Sequence, residues 1–338
     1  MFRRWIPVVA ALSLLLPGLA ACSDDDDTST VRVYSGRHYD LETAFTQFAR
    51  DTGINVEFLY GSDAELLERI KAEGEDTPAD VYMTVDAGNL WNAAQQGLLA
   101  PVSSSVLDEA VPEGLRDPQD RWVGLSMRAR TIMYNPDKVE PGEFDARDSY
   151  AGLDDPKWKG RLCMRSATSS YVQSLVAQLI DEKGRDRALE VVRGWVANDV
   201  RIIGDDVSIL RNVDAGGCDV AITNHYYLAR LLAGGSDLKV KPFWANQEGA
   251  GVHVNISGAG ILKNSDNPGD AQKLLEWLAT TGQNAFVDGN HEFPVNPDVQ
   301  PEELIRGFGE FRFAPINAEA YGRLNADAIA VMSEAGYR

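Results

Sequence analysis

The sequence predicts an α/β protein of two doubly wound lobes joined by a two-stranded hinge, and three observations carry that prediction. Short β-branched runs alternate with amphipathic helical runs, the pattern of a parallel sheet covered by helices on both faces. About 310 of the 338 residues follow a polar tether near the N-terminus, more than one hydrophobic core normally organises. Two unusually long extended runs, residues 122–135 and 252–261, are placed to cross from one lobe to the other and back. The expected division puts residues 31–127 and 255–304 in lobe 1, and residues 128–254 and 305–338 in lobe 2.

Each element has its own signal. Residues 31–34 read as a strand, 41–51 as a helix and 54–59 as a second strand. Residues 63–74 form an amphipathic helix with Leu66, Leu67 and Ile70 on one face. A strand over 79–84 and a helix over 87–96, closed by Gly97, complete the first series. A second series begins after residues 159–164. Within it, residues 220–223 read as a buried strand, and Leu228, Leu231 and Leu232 then take helical spacing. Tyr226 and Tyr227 therefore stand where a strand hands over to a helix. Ligands of open α/β sheets bind outside the carboxyl ends of the strands, so two adjacent phenols there are placed for binding. The other reading packs one ring in the core and shows the other hydroxyl to solvent.

The chain opens with Arg3 and Arg4, an apolar run from Val8 to Leu16, and a small-residue stretch ending at Cys22. That is the layout of a secretory signal over residues 1–21, and its apolar run falls short of the roughly 20 residues a spanning helix needs. Cys22 directly after Leu19, Ala20 and Ala21 resembles the bacterial lipobox, in which the cysteine is lipidated. A plain cleavable signal is the alternative. Residues 22–30, with Asp24 to Asp27, read as an acidic tether that buries nothing. Removing residues 1–21 takes two arginines and no acid, which moves the formal charge from −19 to −21. Such a balance argues against nucleic acid and polyphosphate partners.

Past the signal only Cys163 and Cys218 remain. Outside the reducing cytosol a disulfide between them is the natural reading, with two separate buried thiols as the other. Each cysteine precedes a tyrosine cluster, Cys163 ahead of Tyr171 and Cys218 ahead of Tyr226 and Tyr227. No Cys-x-x-Cys spacing supports zinc or a thioredoxin-type redox site.

Several stretches together resemble the ferric-iron-binding proteins of bacterial ABC importers. They are residues 31–39, with Arg37, His38 and Tyr39; Pro78 to Val81; Arg128 and Arg130 with Tyr134 and Asn135; Trp158 to Arg161; the segment of Cys163 and Tyr171; Gly216 to Asp219 with Asn224 to Tyr227; and Asn255 to Gly260. They cover nearly the whole mature chain in the right order. The resemblance implies the type II periplasmic-binding-protein fold, which closes on its cargo like a flytrap, and delivery to an ABC permease and its ATPase.

It further implies His38 and Tyr39 from one lobe, with Tyr171, Tyr226 and Tyr227 from the other, as ligands of Fe(III). Beside Tyr39, His38 has the alternative of hydrogen-bonding rather than ligating. The chemistry is consistent, since Fe(III) is a small hard cation that deprotonated oxygens bind best. Free phenol has a pKa near ~10, so the metal must displace the proton and affinity falls with pH. Four phenolates against a trication leave one negative charge, which Arg37, Arg128 or Arg130 would balance from behind the ligands. Residues 61–65 show no clear match to the carboxylate that some branches of the family use, so the tyrosine-rich branch is the closer pattern. The expected protein is a monomer attached to the membrane only through its lipid.

Other functional classes fit the same residues less well. An enzyme has little support, because the chain lacks Gly-x-Ser-x-Gly, His-Glu-x-x-His and a phosphate-cradling glycine loop. A same-fold binding protein for an organic cation or a phosphorylated solute would use an aromatic box with carboxylates, or arginines and backbone N–H groups. Phenols and a His-Tyr pair, with no acid at the same loops, favour a metal.

Overall fold

The computed structural model describes residues 29–37, 42–315 and 317–338. The expected signal, Cys22, most of the tether, His38 and Tyr39 lie outside the described residues. Alternation holds from the start: β1 (Thr30–Ser35), α1 (Glu42–Thr52), β2 (Asn55–Tyr60), α2 (Asp63–Glu73), β3 (Val81–Thr84) and α3 (Ala87–Gln95). Helix α2 begins where Ser62 accepts from the Glu65 N–H while the Glu65 carboxylate accepts from the Ser62 N–H, a reciprocal box that satisfies two otherwise orphaned donors. It buries Leu66, Leu67 and Ile70, the face its spacing predicts. Asp86 caps α3 by accepting from the Asn89 N–H, and Gly97, at φ +70°, supplies the left-handed turn past its end.

Helix α4 (Ser105–Ala110) leads to the long strand β4 (Val123–Tyr134). The second series is α5 (Ser149–Gly152), β5 (Leu162–Arg165), α6 (Ser170–Lys183), α7 (Arg185–Ala197), β6 (Arg201–Ile203), α8 (Asp206–Asp214), β7 (Val220–Asn224) and α9 (His225–Ala233). The chain then runs through β8 (Lys241–Phe243), β9 (His253–Ile261), α10 (Pro268–Ala279), α11 (Gln283–Asp288), β10 (Phe293–Pro294), α12 (Glu303–Arg306), α13 (Ala318–Arg323) and α14 (Asn325–Ala335). Among the described residues no helix is long and apolar enough to cross a membrane.

The strands form one mixed sheet in the order β2-β1-β3-β9-β4-β7-β5-β6, with β8 and β10 also pairing with β4. Pairing is parallel among β1, β2 and β3 and among β5, β6 and β7. The two long crossing strands, β4 and β9, pair antiparallel with each other, with a bulge between Gly124 and Ser126. Every residue of β3, β7 and β9 is buried, as expected of strands covered on both faces.

Two main cores sit on this sheet. One gathers β1, β3 and α1 to α3 with α10 and α11, and the other gathers α6, α7 and α14 against β5 and β7. Helix α13 belongs to both, because Ala318 and Tyr321 pack in the first core and Ala320 in the second.

Candidate metal centre

The tyrosines meet where two helices begin. Tyr226 and Tyr227 occupy the first turn of α9, directly after β7, and Tyr171 is the second residue of α6, a short loop after β5. Both strands end on the same side of the sheet because both are parallel members of it. The hydroxyls of Tyr171 and Tyr226 lie 3.2 Å apart, and the Tyr226 and Tyr227 rings lean together with centroids 4.3 Å apart. Tyr226 is fully buried, whereas Tyr171 and Tyr227 are half-buried.

Guanidiniums surround these phenols. Arg128 and Arg130, two residues apart on β4, stand 5.9 and 5.8 Å from the Tyr171 ring centroid, and Arg230 stands 5.3 Å from that of Tyr226. Arg130 donates to Asp206 at 3.1 Å and Arg165 donates to the other oxygen of the same carboxylate at 2.5 Å. Asp206 is fully buried and therefore joins two cations in one network beneath the phenols. Burial alone would depress the pKa of Arg165, but Asp206 outweighs it, and Tyr227 and Tyr171 act in the same upward direction. Arg165 and Asp206 have no role in the sequence reading. The only sequence signal was that Arg165 opens the stretch leading to Tyr171.

Arg37 is placed differently from the expectation that it would balance the phenolates. Its guanidinium is buried against Glu292, at 2.5 Å, and that carboxylate already meets its charge. The assignment of Arg128 and Arg130 differs too in one respect. Arg128 also reaches across to the other wall, donating to the Val85 carbonyl and, at 2.9 Å, to the Ile256 carbonyl.

The facing wall is not free of acid, contrary to the sequence reading. A cavity of about 810 Å³ has Asp63, Asp86 and Asn89 on one side and Thr168, Ser170 and Gln173, at the start of α6, on the other. Tyr171 lines a small adjoining recess with Arg128 and Arg130. Burial and the neighbouring Asp86 push Asp63 up to about 7, and burial likewise raises Asp86. Both carboxylates have structural partners, since Asp63 accepts from Val85 N–H and the Asn89 amide while Asp86 accepts from Asn89 N–H and the Asn255 amide.

The histidines other than His38 are engaged in the interior or at a loop. His225 is fully buried, its Nδ1 accepting from the Ala129 N–H at 3.2 Å, and burial lowers its pKa to about 4. His253 is held between Ser174 and Gln178, and burial, helped by Arg130, lowers it to about 3. His291 pairs with Glu302. Among the described residues no cluster of three or more His, Cys, Asp or Glu side chains is arranged to hold a metal. Cys163 on β5 and Cys218 just before β7 are paired, with Cα atoms 5.9 Å apart, within the span a disulfide allows.

With this geometry in hand, the comparisons with known proteins are specific. Residues 76–306 match the family model described as bacterial extracellular solute-binding protein. The chain is 40% identical to Iron uptake protein A1 of Synechocystis over 91% of its own length and 87% of the relative's. It is 29% identical to the Major ferric iron-binding protein of Neisseria meningitidis, covering 88% of this chain and 87% of that one. Its fold superposes with a TM-score of 0.85 on a Trichodesmium protein, IdiA or FutA, solved with iron and citrate, at 41% identity over 92% of this chain and all of that one. The ferric binding protein of Campylobacter jejuni gives 0.83 at 32% identity, covering 91% of this chain and all of that one. These likenesses confirm the type II periplasmic-binding fold, and the chain belongs to the bacterial extracellular solute-binding protein family, whose members bind and carry solutes rather than catalyse reactions.

Proposed function

We propose that this protein captures Fe(III) outside the cytoplasm and hands it to an ABC permease driven by its ATPase. Tyr171, Tyr226 and Tyr227 bind the metal as phenolates, and Tyr39 with His38 completes the set from lobe 1. The observation that carries this reading is the meeting of the Tyr171 and Tyr226 hydroxyls at 3.2 Å, with Tyr227 alongside and Arg128, Arg130 and Arg165 close by. As neutral phenols, Tyr171 and Tyr226 share one hydrogen bond. As phenolates they form a hard, anionic oxygen set matched to a trication. The guanidiniums favour that deprotonated form by placing positive charge beside it. Relatives named for ferric iron binding and iron uptake support the same cargo.

An organic cation would need anionic partners in the cleft. Asp63 is biased towards its neutral form and Asp86 caps a helix, so neither offers the unengaged carboxylate an amine requires.

The two lobes, residues 31–127 with 255–304 and 128–254 with 305–338, close on the metal in this reading, since ligands from both walls are satisfied only when the walls meet. Cys163 and Cys218 form a disulfide tying the two tyrosine-bearing segments together. The lipid on Cys22 anchors a monomer to the membrane. The deciding experiment is metal analysis and visible spectroscopy of purified protein after aerobic ferric loading. One bound iron per chain with a phenolate charge-transfer colour is expected, whereas a colourless, iron-free protein that retains an amine would overturn the assignment.

A further inference from the structure

We infer that Arg37, clamped by Glu292, is a positioning residue that fastens the chain immediately before His38 and Tyr39 to strands β4 and β9. The inference rests on the reading of Tyr39 as an iron ligand. Arg37 and Glu292 side chains are 1% and 0% exposed, and they meet at 2.5 Å. The same Nη1 donates at 3.2 Å to Ser126 on β4 and at 3.2 Å to Ser257 on β9. Ser126 and Ser257 are register partners across the hinge, directly beside its bulge. Nη2 donates to the Phe286 carbonyl at 2.8 Å, and the guanidinium lies 4.1 Å from the Phe286 ring centroid. Glu292 is satisfied in turn by Ser126 and Asn290. The backbone is pinned as well, with Ser35 donating to the Arg37 carbonyl at 2.6 Å and the Arg37 N–H donating back to Ser35 at 3.1 Å.

A buried ion pair is a poor device for stability, because desolvating both charges offsets most of their attraction. What it supplies is direction, since a guanidinium whose two terminal nitrogens are held by partners on β4, β9, α11 and the segment before β10 has one place to sit. The chain leaving Arg37 is the one that must deliver Tyr39 to the metal. Anchoring Arg37 to both β4 and β9 fixes the point from which the chain departs towards that ligand.

The test combines Arg37→Met with Glu292→Met, which removes both charges together, and compares it with Tyr39→Phe and Tyr227→Phe in every combination. Thermal unfolding reports folding, and competition against citrate reports ferric affinity. The folded pair variant is expected to lose roughly tenfold to a hundredfold in affinity, the scale seen for groups that orient a metal's ligands. Tyr39→Phe should then cost less in that background than in the wild type, while Tyr227→Phe costs the same in both. A purely structural role would lower the unfolding temperature without this selective coupling. A folded pair variant that binds like the wild type, or whose loss adds fully to that of Tyr39→Phe, overturns the inference while leaving the ferric assignment intact. Wild-type protein that binds no iron, or that Tyr39→Phe leaves unchanged, sinks the underlying reading and this one with it. Should the pair variant fail to fold, Ser126→Ala with Ser257→Ala, which keeps the ion pair and removes only its bonds to the hinge, decides the matter by the same coupling.

Discussion

On one wall of the cleft, three phenols stand among guanidiniums whose charge is shared with a buried carboxylate, Asp206. On the other, two carboxylates stand at the starts of α2 and α3, Asp63 buried and Asp86 half-buried, with their pKa values raised. Positive charge thus stands beside the phenols, and the charged form of both facing carboxylates is disfavoured. The comparison teaches that this cleft does not store the anionic charge its proposed cargo needs. Under the proposed function the charge would be generated on arrival, as the metal displaces phenolic protons, with Arg128 and Arg130 beside the Tyr171 ring.

The largest expected effect breaks the first wall directly. Tyr226→Phe with Tyr227→Phe keeps both rings and removes both hydroxyls, so iron binding and its colour should vanish while the circular dichroism spectrum is unchanged. Unaltered ferric affinity in that variant would show that the phenols only fill space.

Next comes the contrast between acids. Asp206→Asn leaves the buried Arg130 and the half-buried Arg165 without their counter-charge and should destabilise the protein by about 3 kcal/mol in urea unfolding. Asp86→Asn, on the opposite wall, retains the oxygen that caps α3, and its cost should stay below about 1 kcal/mol. Equal losses at the two positions would dissolve the distinction between the walls.

The smallest effect is a pair of opposite pH slopes in the metal-free protein. Asp63 titrates at about 7 when folded against an ordinary 3.8, so its contribution is most favourable below pH 4 and is lost as pH rises towards 7. His253, beside the tyrosine wall, is lowered to about 3 from 6.5, so its contribution is present above pH 6.5 and is lost as pH falls below that. Each slope is bounded at about 1.4 kcal/mol per pH unit. Between about pH 4 and pH 6.5 the two oppose each other, and His225, lowered to about 4, adds to the second. Asp63→Asn should therefore make stability rise more steeply with pH and His253→Gln less steeply, as read from unfolding midpoints between pH 3 and pH 8, and a pH dependence that neither substitution changes would assign it to other groups.

Local sequence carried much of this architecture. A β-branched run at 220–223 followed by leucines at helical spacing places Tyr226 and Tyr227 at a strand-to-helix junction, and α9 does begin at His225. The long runs at 122–135 and 252–261 contain β4 and β9, because so few residue patterns other than a buried strand sustain that length of extended chain. What local sequence could not express was pairing at a distance. Arg165 and Asp206 are 41 residues apart, Arg130 and Asp206 are 76 apart, and Arg37 and Glu292 are 255 apart. No periodicity reports such partners, so Arg37 reads from sequence as a charge near the metal and Asp63 as one more polar residue at a helix start. The burial that raises the Asp63 pKa likewise comes from segments far along the chain.

The unbroken sheet carries a consequence for how the molecule comes apart. Strands β3, β9, β4 and β7 are hydrogen-bonded neighbours in series, and α13 contributes side chains to both cores. Neither half can lose its structure without stripping backbone partners and apolar cover from the other. A calorimeter heating this protein should therefore record one endotherm, with calorimetric and van't Hoff enthalpies in agreement, where two beads on a flexible linker would give two.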